Sequence, residues 1–587
     1  MNKAGIYHIS EYIYAYAVGP ETLRVRLKTG KNDVKRCKVY YKNVYDHTEL
    51  HKEAVMQLVR TDGINDWYEG DLFLQEKRYK YYFELIDMQD ELWYYNSDGF
   101  TKILETPPVY FFMPYLFREE VPDYPAWAKG ALIYQVFVDR FYNGNPDINP
   151  ENVTEWHEPS DYTTYYGGDF VGLMNKLVYL DSLGVRIIYL NPIFKSPTYH
   201  KYDILDYYEV DPSYGTKEEL RELVEKAHAL GMKVMLDAVF NHSNDENVLF
   251  RDIVKKGEAS LYAKWYDIKS FPITKQPPSY DCFAGVVSEM PRFDTSNPEV
   301  QDYLITSAQY WTKYLDIDGW RLDVADEVSH GLWKQFHSRI KKVKQDCLIL
   351  GEIWNQSTRW LMGDECDSAT NYKFRNAMLQ FAKSKDMTQD DLWNLLAYNE
   401  MKYKTSNHCI LVNLVGSHDT PRIATELNGD RKLARLVIGI MLTYTGMPLI
   451  YYGDEIGMEG AKDPDNRNAM KWEKELQYES TLKLVKQLGN ARKSSQALRV
   501  GTLIENRNVS VKVVAFKRVA DHGEAVLVAA NFGDLPEKVV FDVANGIEWI
   551  NITKNGEVSK ISENKLGITV LPTDIVVISV KEEMKHE

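Results

Sequence analysis

The chain contains 587 residues, of which 44% are hydrophobic and 26% are charged, and its formal net charge is −15. This length predicts three or four domains, and this composition is typical of a globular protein with sizeable buried cores. The acidic balance excludes nucleic acid and anionic membranes as favoured partners, because both carry negative charge.

The cysteines and the first residues of the chain bear on its cellular compartment. The five cysteines are scattered and lack metal-ligand spacing, which favours a reducing compartment and no disulfide framework. The chain begins without a continuous apolar stretch after a basic segment, so we expect no secretory signal. No run is long and apolar enough to span a membrane. We therefore expect a cytoplasmic protein.

Residues 1–122 are predicted to form a β-sandwich. Leu23, Val25 and Leu27 alternate with basic residues, a pattern typical of a half-buried strand, and a second aromatic, β-prone run follows. Turn-forming residues separate such runs, and we find no helix of convincing length. Five prolines between residues 107 and 125 then indicate a linker.

Residues 123–502 alternate between predicted strands and helices. Eight segments are strand candidates: 131–139, 184–190, 233–240, 319–324, 347–353, 366–370, 409–415 and 448–453. Parallel strands of this apolar kind favour an α/β fold, a (β/α)8 TIM barrel, with a doubly wound open sheet as the alternative. The connection 243–297 is long enough to be an inserted subdomain or lid. Short β-prone runs in residues 503–587 predict a C-terminal β-sandwich.

Four of the predicted barrel strands end in clustered polar residues. These clusters contain the carboxylates Asp323, Glu352 and Asp419 and the histidines His242 and His418. A single carboxylate at a strand end is commonly structural, because it caps the next helix. Four polar strand ends together are hard to explain in that way, and barrel enzymes carry their chemistry on this rim. The sequence therefore predicts a functional site there.

Two pairs of residues at these strand ends suit the hydrolysis of glycosidic bonds. Arg321 and Asp323 leave their strand on the same face, and a neighbouring guanidinium favours the ionised carboxylate that a nucleophile requires. The alternative is a buried structural ion pair. Glu352 follows an apolar strand and is close in sequence to Trp354, surroundings that favour a protonated acid. Glycoside hydrolysis needs one carboxyl group of each kind.

The four strand ends resemble the signature regions of the α-amylase family of glycoside hydrolases in order, placement and spacing. The resemblance implies that Asp323 is the nucleophile, Glu352 the general acid/base and Asp419 the carboxylate that stabilises the transition state. It also implies sugar-binding roles for a set of residues at the cleavage point: Tyr202, His242, Arg321, Trp354 and His418. Asp237 and Asn241 are expected to be structural supports at the end of the third strand.

Within that family the chain is similar to the cyclomaltodextrinase, maltogenic amylase and neopullulanase group. The resemblance implies a starch-binding-like N-terminal module and makes residues 243–297 the inserted domain B. Glu327 matches the glutamate that the group uses on the acceptor side of the cleaved bond. Residues 290–294 read Met-Pro-Arg-Phe-Asp where the group usually has Met-Pro-Lys-Leu-Asn. The choice among cyclodextrins, pullulan, starch and maltooligosaccharides therefore stays open, as does cleavage of α-1,6 bonds.

One loop resembles a calcium site of some family members. The residues that match it are Asn143, Asn145, Asn149, Gly167 and Asp169. Asn145 stands where an aspartate is expected and Ile148 offers no ligand, and fewer carboxylates mean weaker calcium binding. We therefore predict that no cofactor is required and that calcium binds weakly if it binds.

The resemblance implies a retaining hydrolase of α-1,4 bonds in cyclodextrins and maltooligosaccharides, with transglycosylation as a side reaction. In this group the N-terminal domain often serves dimerisation, so a homodimer is expected. One alternative is a dedicated α-glucan transglycosylase or isomerase. Another is a non-catalytic carbohydrate-binding protein on an amylase-like scaffold, which we would expect to have lost a catalytic carboxylate or gained a membrane segment.

Overall fold

The computed structural model describes residues 1–582, which fall into two compact units. The first contains Met1–Asp123 together with Asp390–His408, and the second contains Tyr124–Gln389 and the chain from Cys409 onward. The predicted barrel domain, residues 123–502, includes residues 390–408, but the structure groups this segment with the N-terminal residues. Among the described residues, no helix is both long and apolar enough to cross a bilayer.

The N-terminal unit contains two antiparallel sheets. The first sheet has the strand order Ala15–Gly19, Thr22–Gly30, Asn65–Phe73 and Gln57–Thr61. The second has the order Lys52–Val55, Val34–Lys42, Tyr79–Asp87, Leu92–Asn96 and Gly99–Thr101, with Phe111–Met113 also paired to Tyr79–Asp87. Leu23, Val25 and Leu27 are fully buried, as their alternation predicts. These sheets confirm the predicted N-terminal β-sandwich.

Two arginines, Arg26 and Arg60, hold the segment 390–408 within the N-terminal unit. The segment contains the helix Gln389–Glu400 and a 3-10 turn at Thr405–Asn407, and Arg60 Nε lies 2.9 Å from Glu400 Oε2. Arg26 donates from Nη1 to the carbonyl oxygens of Met401 and Tyr403, each at 2.9 Å. These partners are more than 300 residues apart in the chain, so no local pattern reveals the grouping.

Eight parallel strands form the barrel of the second unit. In chain order they are Ile133–Val136, Ile187–Leu190, Lys233–Ala238, Gly319–Leu322, Leu348–Gly351, Ser368–Ala369, Val412–Leu414 and Met447–Tyr451. Each strand pairs with its sequence neighbours, the first pairs with the eighth, and a bridge between Thr370 and Val412 joins the sixth to the seventh. The (β/α)8 barrel is therefore confirmed, and the open sheet is wrong.

Helices surround this barrel and begin at the caps that the sequence provides. The α-helices of the unit are Val138–Phe141, Phe170–Ser182, Lys217–Ala229, Val248–Lys256, Pro298–Leu315, His330–Val343, Tyr372–Lys383, Ile423–Glu426, Arg431–Thr443, Glu479–Ser494 and Gln496–Val500. The predicted capping box is present, since Thr216 accepts from the Glu219 N–H and the Glu219 carboxylate accepts from the Thr216 N–H.

The connection after the third barrel strand has a small core of its own. It contains the helix Val248–Lys256 and a hairpin of Cys282–Phe283 and Val287–Pro291. Phe250 lies 5.1 Å from Tyr266 and 4.9 Å from Tyr280 between ring centres. This aromatic cluster fixes the hairpin over the third strand's polar end.

The C-terminal region is a pair of antiparallel sheets. One has the strand order Thr502–Glu505, Val513–Val519, Glu524–Asn531, Asp574–Glu582 and Ile547–Asn551. The other has the order Glu537–Asp542, Lys565–Val570 and Glu557–Ser562. Leu527, Ile568 and Ile578 are buried in a shared apolar core, which agrees with the predicted β-sandwich.

A buried ion cluster lies at the amino-terminal end of the barrel. Asp318, which is completely buried, accepts from His228 at 2.7 Å, from Lys233 at 2.8 Å and from Lys344 at 2.9 Å. Burial alone would raise the pKa of Asp318, but these three hydrogen bonds outweigh it and hold the pKa well below its ordinary value. Polar groups at this end of a TIM barrel contribute to stability rather than catalysis.

We predict that Asp318→Asn lowers the free energy of unfolding by about 3 kcal/mol at pH 7, because it leaves partly buried cations without a counter-charge. The depressed pKa stabilises the fold above about pH 4 and loses its effect as the pH falls below that value. The gap in melting temperature between wild type and variant should therefore shrink at pH 3, while kcat per folded molecule stays unchanged.

The matched control is Asp316→Asn. Its carboxylate pairs with the same Lys344 at 2.9 Å, but its side chain is 73% exposed. Such exposed pairs contribute about 0 to 1 kcal/mol. Equal losses in the two variants would contradict the assignment of the buried cluster.

Candidate active site

The three predicted catalytic carboxylates all follow barrel strands at the carboxyl-terminal rim. Asp323 comes directly after the fourth strand, Glu352 directly after the fifth, and Asp419 a few residues after the seventh. Asp323 and Glu352 are each 4% exposed, whereas the side chain of Asp419 is 32% exposed. The barrel thus brings together residues that are almost 100 positions apart in sequence.

One guanidinium connects the carboxylates of three strands. Nη1 of Arg321 lies 2.7 Å from Asp323 Oδ1 and 2.9 Å from Asp237 Oδ1. Nη2 of the same residue lies 2.7 Å from Glu352 Oε2. Asp237, which the sequence analysis treated as a structural support, is therefore part of the carboxylate cluster itself.

Because three carboxylates share Arg321, the pKa of Asp323 depends on more than its contact with this one cation. Burial raises the pKa of Asp323 well above its ordinary value, the Glu352 and Asp237 carboxylates raise it further, and Arg321 opposes them. Arg321 thus favours the ionised form of Asp323, as the sequence predicts, but it is shared with two further carboxylates and does not offset the effect of burial. The raised pKa of Asp323 therefore follows from burial and from the crowding of carboxylates around one guanidinium.

Tyr202 and His418 form an oriented pair beside the cluster. The Tyr202 hydroxyl donates to Asp237 Oδ2 at 3.1 Å and lies 2.6 Å from His418 Nε2. Gln135 Nε2 donates to His418 Nδ1 at 2.7 Å, so the ring proton is on Nε2. Burial lowers the pKa of His418, and the nearby Arg467 and Arg321 lower it further, so its ring is neutral.

His242 lies on the other side of Tyr202. Its Nε2 is 3.1 Å from the Tyr202 carbonyl oxygen, and burial lowers the pKa of His242 to about 4. The ring centre is 5.0 Å from that of Phe283, which belongs to the hairpin of the inserted subdomain. Because a carbonyl oxygen only accepts, the single N–H of neutral His242 is on Nε2 and donates to Tyr202, while Nδ1 accepts from Asn241 Nδ2 at 3.3 Å.

Asp419 has partners different from those of the other two carboxylates. Its Oδ2 is 3.0 Å from His418 Nε2, and its Oδ1 is 3.3 Å from Arg467 Nη2. Desolvation in the cleft and the neighbouring Glu352 raise the pKa of Asp419 to about 7, although Arg467 and Arg321 oppose the shift. Asp419 is thus suited to respond to charge that develops in the cleft.

Trp354 and Glu327 lie at the outer edge of the site. The Trp354 ring, 43% exposed, stacks on Tyr372 with centres 3.9 Å apart and planes 8° apart. One face of the Trp354 ring thus packs on Tyr372, and the ring remains partly exposed to solvent. Glu352 is paired with Arg321. Glu327 is exposed, and its backbone carbonyl accepts from Arg292 at 2.6 Å.

The five residues of the predicted calcium loop lie together. Asp169 Oδ2 accepts from the N–H groups of Gly144 at 2.9 Å and Asn145 at 2.7 Å, and its Oδ1 accepts from Gly172 at 2.6 Å. Asn149 Oδ1 accepts from Asn143 Nδ2 at 3.0 Å, and a Cβ at Gly167 would lie 2.3 Å from that oxygen. Hydrogen bonds thus engage the side-chain oxygens of Asp169 and Asn149, whereas Asn143 Oδ1 is buried without a hydrogen-bond partner, and Asp169 is the single carboxylate among the five residues.

Several residues of the site were missed by the sequence analysis. Gln135 and Tyr189 are on inward-facing positions of the first two strands, and the Tyr189 hydroxyl donates to Asp237 Oδ2 at 2.6 Å. A polar residue inside an apolar strand was a signal for Gln135. Arg467 lies in a long loop after the eighth strand, where no pattern in the sequence indicates its role.

We predict that Asp419→Asn becomes stabilising as the pH rises. Because the native pKa of about 7 lies above the unfolded value near 4, folding loses stability as the pH rises through this window. Asparagine cannot lose a proton, so the variant should melt about 2 °C or more above wild type at pH 8 but not at pH 4. Scanning calorimetry at both pH values measures this.

Asp463→Asn is the control for losing a partner of Arg467. Asp463 lies 3.2 Å from Arg467 Nη1 and is 33% exposed, close to the exposure of Asp419. This variant should melt at or below the wild-type temperature at pH 8. A rise in melting temperature for Asp463→Asn, or none for Asp419→Asn, would contradict the proposed charge crowding.

Comparison with known proteins agrees with this architecture. The family model "Alpha amylase, catalytic domain" matches residues 135–498, and "Alpha amylase, N-terminal ig-like domain" matches residues 1–117. The chain is 39% identical to the cyclomaltodextrinase of Thermoanaerobacter pseudethanolicus, across 94% of this chain and 96% of the relative. It is 38% identical to neopullulanase 2 of Thermoactinomyces vulgaris, across 97% of each chain.

A solved structure described as a cyclomaltodextrinase has a TM-score of 0.92 and 31% identity, covering 99% of this chain and 100% of that one. An intracellular maltogenic amylase of Bacillus subtilis is 35% identical over 95% of both chains. The chain therefore belongs to the α-amylase family and is a glycoside hydrolase of the cyclomaltodextrinase, maltogenic amylase and neopullulanase group.

Proposed function

We propose that the protein hydrolyses α-1,4-glucosidic bonds of cyclodextrins and maltooligosaccharides with retention of configuration. The observation that carries the proposal is the contact of Asp323 and Glu352 with a single guanidinium, that of Arg321, at the carboxyl-terminal rim of the barrel. Pullulan and starch are proposed as further substrates. Transglycosylation is proposed as a side reaction of the same site.

The shared guanidinium favours retention over inversion. Retaining enzymes hold their two carboxyl groups about 5 to 5.5 Å apart, whereas inverting enzymes leave about 6.5 to 9.5 Å for a water molecule. Each carboxylate has an oxygen 2.7 Å from one amino nitrogen of Arg321, which favours the shorter spacing. Asp323 is then close enough to attack the sugar while Glu352 reaches the leaving oxygen.

Each residue of the site has a defined part in the proposed reaction. Asp323 forms a bond to the anomeric carbon as the bond to the leaving oxygen breaks, and Glu352 transfers its proton to that oxygen. Asp419 stabilises the positive charge that develops on the sugar ring. In the second step Glu352 removes a proton from water, and the water oxygen displaces Asp323. A sugar hydroxyl in place of water gives transglycosylation.

The surroundings of the carboxylates support a glucan as the substrate. Tyr202, His242 and His418 present fixed polar groups beside the cleavage point, and Trp354 offers an open aromatic face for a sugar ring. The names of the similar proteins include cyclomaltodextrinase, neopullulanase and maltogenic amylase, which supports cyclodextrin, pullulan and maltooligosaccharides as the substrates to test.

The two alternative functions, a non-catalytic binding protein and a dedicated transglycosylase or isomerase, have less support from the residues of the site. A non-catalytic binding protein has no need for three carboxylates arranged around one buried guanidinium, an arrangement that is unfavourable for stability. A dedicated transglycosylase or isomerase would use the same cluster, and only its products would distinguish it. We also propose that catalysis needs no calcium, because hydrogen bonds already hold the loop around Asp169, and that the enzyme acts in the cytoplasm.

We predict that the purified protein opens β-cyclodextrin to maltose and glucose and that Asp323→Asn lowers the rate by about 10⁴-fold, since loss of a nucleophile removes the covalent step. Chromatography of products from β-cyclodextrin, pullulan and soluble starch measures this. Asp326→Asn, an exposed change three residues away, is the matched control and should keep its activity. If the folded wild-type protein cleaves none of these glucans, the proposed hydrolase function is wrong.

We further propose a homodimer formed through the N-terminal domain, residues 1–122. Strongly exposed apolar side chains on this unit support it: Tyr45, Leu50, Leu58 and Ile64. Sedimentation velocity should give a dimer at micromolar concentration, and Leu58→Asp should shift it toward monomer because a charge enters the apolar contact. A wild-type protein that sediments only as a monomer would contradict this proposal.

A further inference from the structure

The residue that follows the proposed nucleophile has an unusual backbone conformation. Val324 has φ 44° and ψ 47°, in the left-handed region. This conformation is rare for any residue other than glycine and is a genuine outlier for a β-branched residue. Strain of this kind persists only where the surrounding structure imposes it, and it concentrates at functional sites.

Hydrogen bonds on both sides of Val324 impose the conformation. Before it, the Asp323 N–H donates to the Ala238 carbonyl at 3.1 Å, which extends the barrel strand. After it, the Ala325 N–H donates to the Glu352 carbonyl at 3.1 Å, and the Glu327 N–H donates to the Val324 carbonyl at 3.0 Å. The chain must therefore reverse within one residue.

The reversal turns two consecutive N–H groups toward Glu352. The Val324 N–H donates to the side-chain oxygen Glu352 Oε2 at 3.1 Å, while the Ala325 N–H holds the backbone of the same glutamate. Consecutive N–H groups around a left-handed residue form a concave site for negative charge. Arg321 Nη2 approaches the same Glu352 oxygen from its other side, at 2.7 Å.

We propose that Val324 is a positioning residue for the general acid/base. Its left-handed backbone aims an N–H at Glu352 Oε2 and fixes that carboxyl group relative to Asp323, the adjacent residue in the chain. This inference rests on the proposed function, in which Glu352 is the proton donor. The surrounding hydrogen bonds hold valine in this strained turn, whereas glycine would adopt the left-handed region without strain and would also sample other conformations.

The contact matters most when Glu352 transfers its proton. As the bond from the anomeric carbon to the leaving oxygen breaks, its electron pair goes to that oxygen, which takes the proton of Glu352. The new carboxylate then has the Val324 N–H as a fixed donor. A fluoride leaving group departs as F⁻ with the electron pair of the C–F bond and needs no proton, so its loss depends little on Glu352.

The test compares two substrates of one site. β-Cyclodextrin requires protonation of the leaving oxygen, and α-maltosyl fluoride does not. Val324→Gly should lower the ratio of kcat/KM for β-cyclodextrin to kcat/KM for α-maltosyl fluoride at least 10-fold, because kcat/KM reports the first bond cleavage and not the later attack of water that both substrates share. Val324→Asn should restore most of the ratio, because asparagine tolerates the left-handed region and keeps a single conformation better than glycine.

Thr573→Gly is the matched control for relief of strain. Thr573 is also β-branched, has φ 53° and is similarly half-buried, but it lies in a turn of the C-terminal sandwich. This variant should leave both rates unchanged. A control that lowers the ratio as much as Val324→Gly would overturn the inference.

The outcomes separate this inference from the proposed function. If wild type cleaves both substrates and Val324→Gly slows both equally, or neither, Val324 has only a structural role and the function stands. If wild type cleaves neither substrate, the proposed function fails and the inference fails with it. A selective loss on β-cyclodextrin that Val324→Asn reverses supports the positioning role.

Discussion

The active site depends on one buried cation that serves three carboxylates. Arg321 contacts Asp323, Glu352 and Asp237, which come from three different barrel strands, and it is the only link that the described structure shows among all three. A single guanidinium cannot neutralise three carboxylates, and burial raises the pKa of both Asp323 and Asp237. The common contact with Arg321 brings the proposed nucleophile, Asp323, close to the proposed proton donor, Glu352.

The two ends of the barrel use similar charges for opposite purposes. At the amino-terminal end, Asp318 is surrounded by His228, Lys233 and Lys344, so its charge is more than balanced and its pKa falls. At the carboxyl-terminal end, burial raises the pKa of Asp323, and the neighbouring carboxylates outnumber the one guanidinium that opposes this shift. The cations around Asp318 stabilise the fold. The carboxylates crowded around Arg321 are unfavourable for stability and belong to the proposed catalytic site. Both carboxylates are buried, so burial does not distinguish the two roles. The balance of cations and carboxylates around each one does.

The barrel and its rim of carboxylates could be predicted from the sequence because apolar strands and the polar residues at their ends are local patterns. The ionisation of Asp323 could not, since it depends on Asp237 and Glu352, which reach Arg321 only in the folded barrel. Arg467 lies in a loop without a motif, and the stacking of Trp354 on Tyr372 joins two strand ends. The grouping of residues 390–408 with the N-terminal unit likewise depends on Arg26 and Arg60, which are distant in sequence.

The central claim is that Asp323 attacks the sugar and forms a covalent intermediate. Glu352 donates a proton to the leaving oxygen and later removes one from water. The most direct measurement is to mix the Glu352→Gln variant with α-maltosyl fluoride and analyse the quenched protein by peptide mass spectrometry. Fluoride leaves without a proton, but the variant has no base to activate water, so the intermediate should accumulate as a maltosyl group on the peptide that contains Asp323. A protein that releases free maltose of inverted configuration, with no modified peptide, would contradict the account.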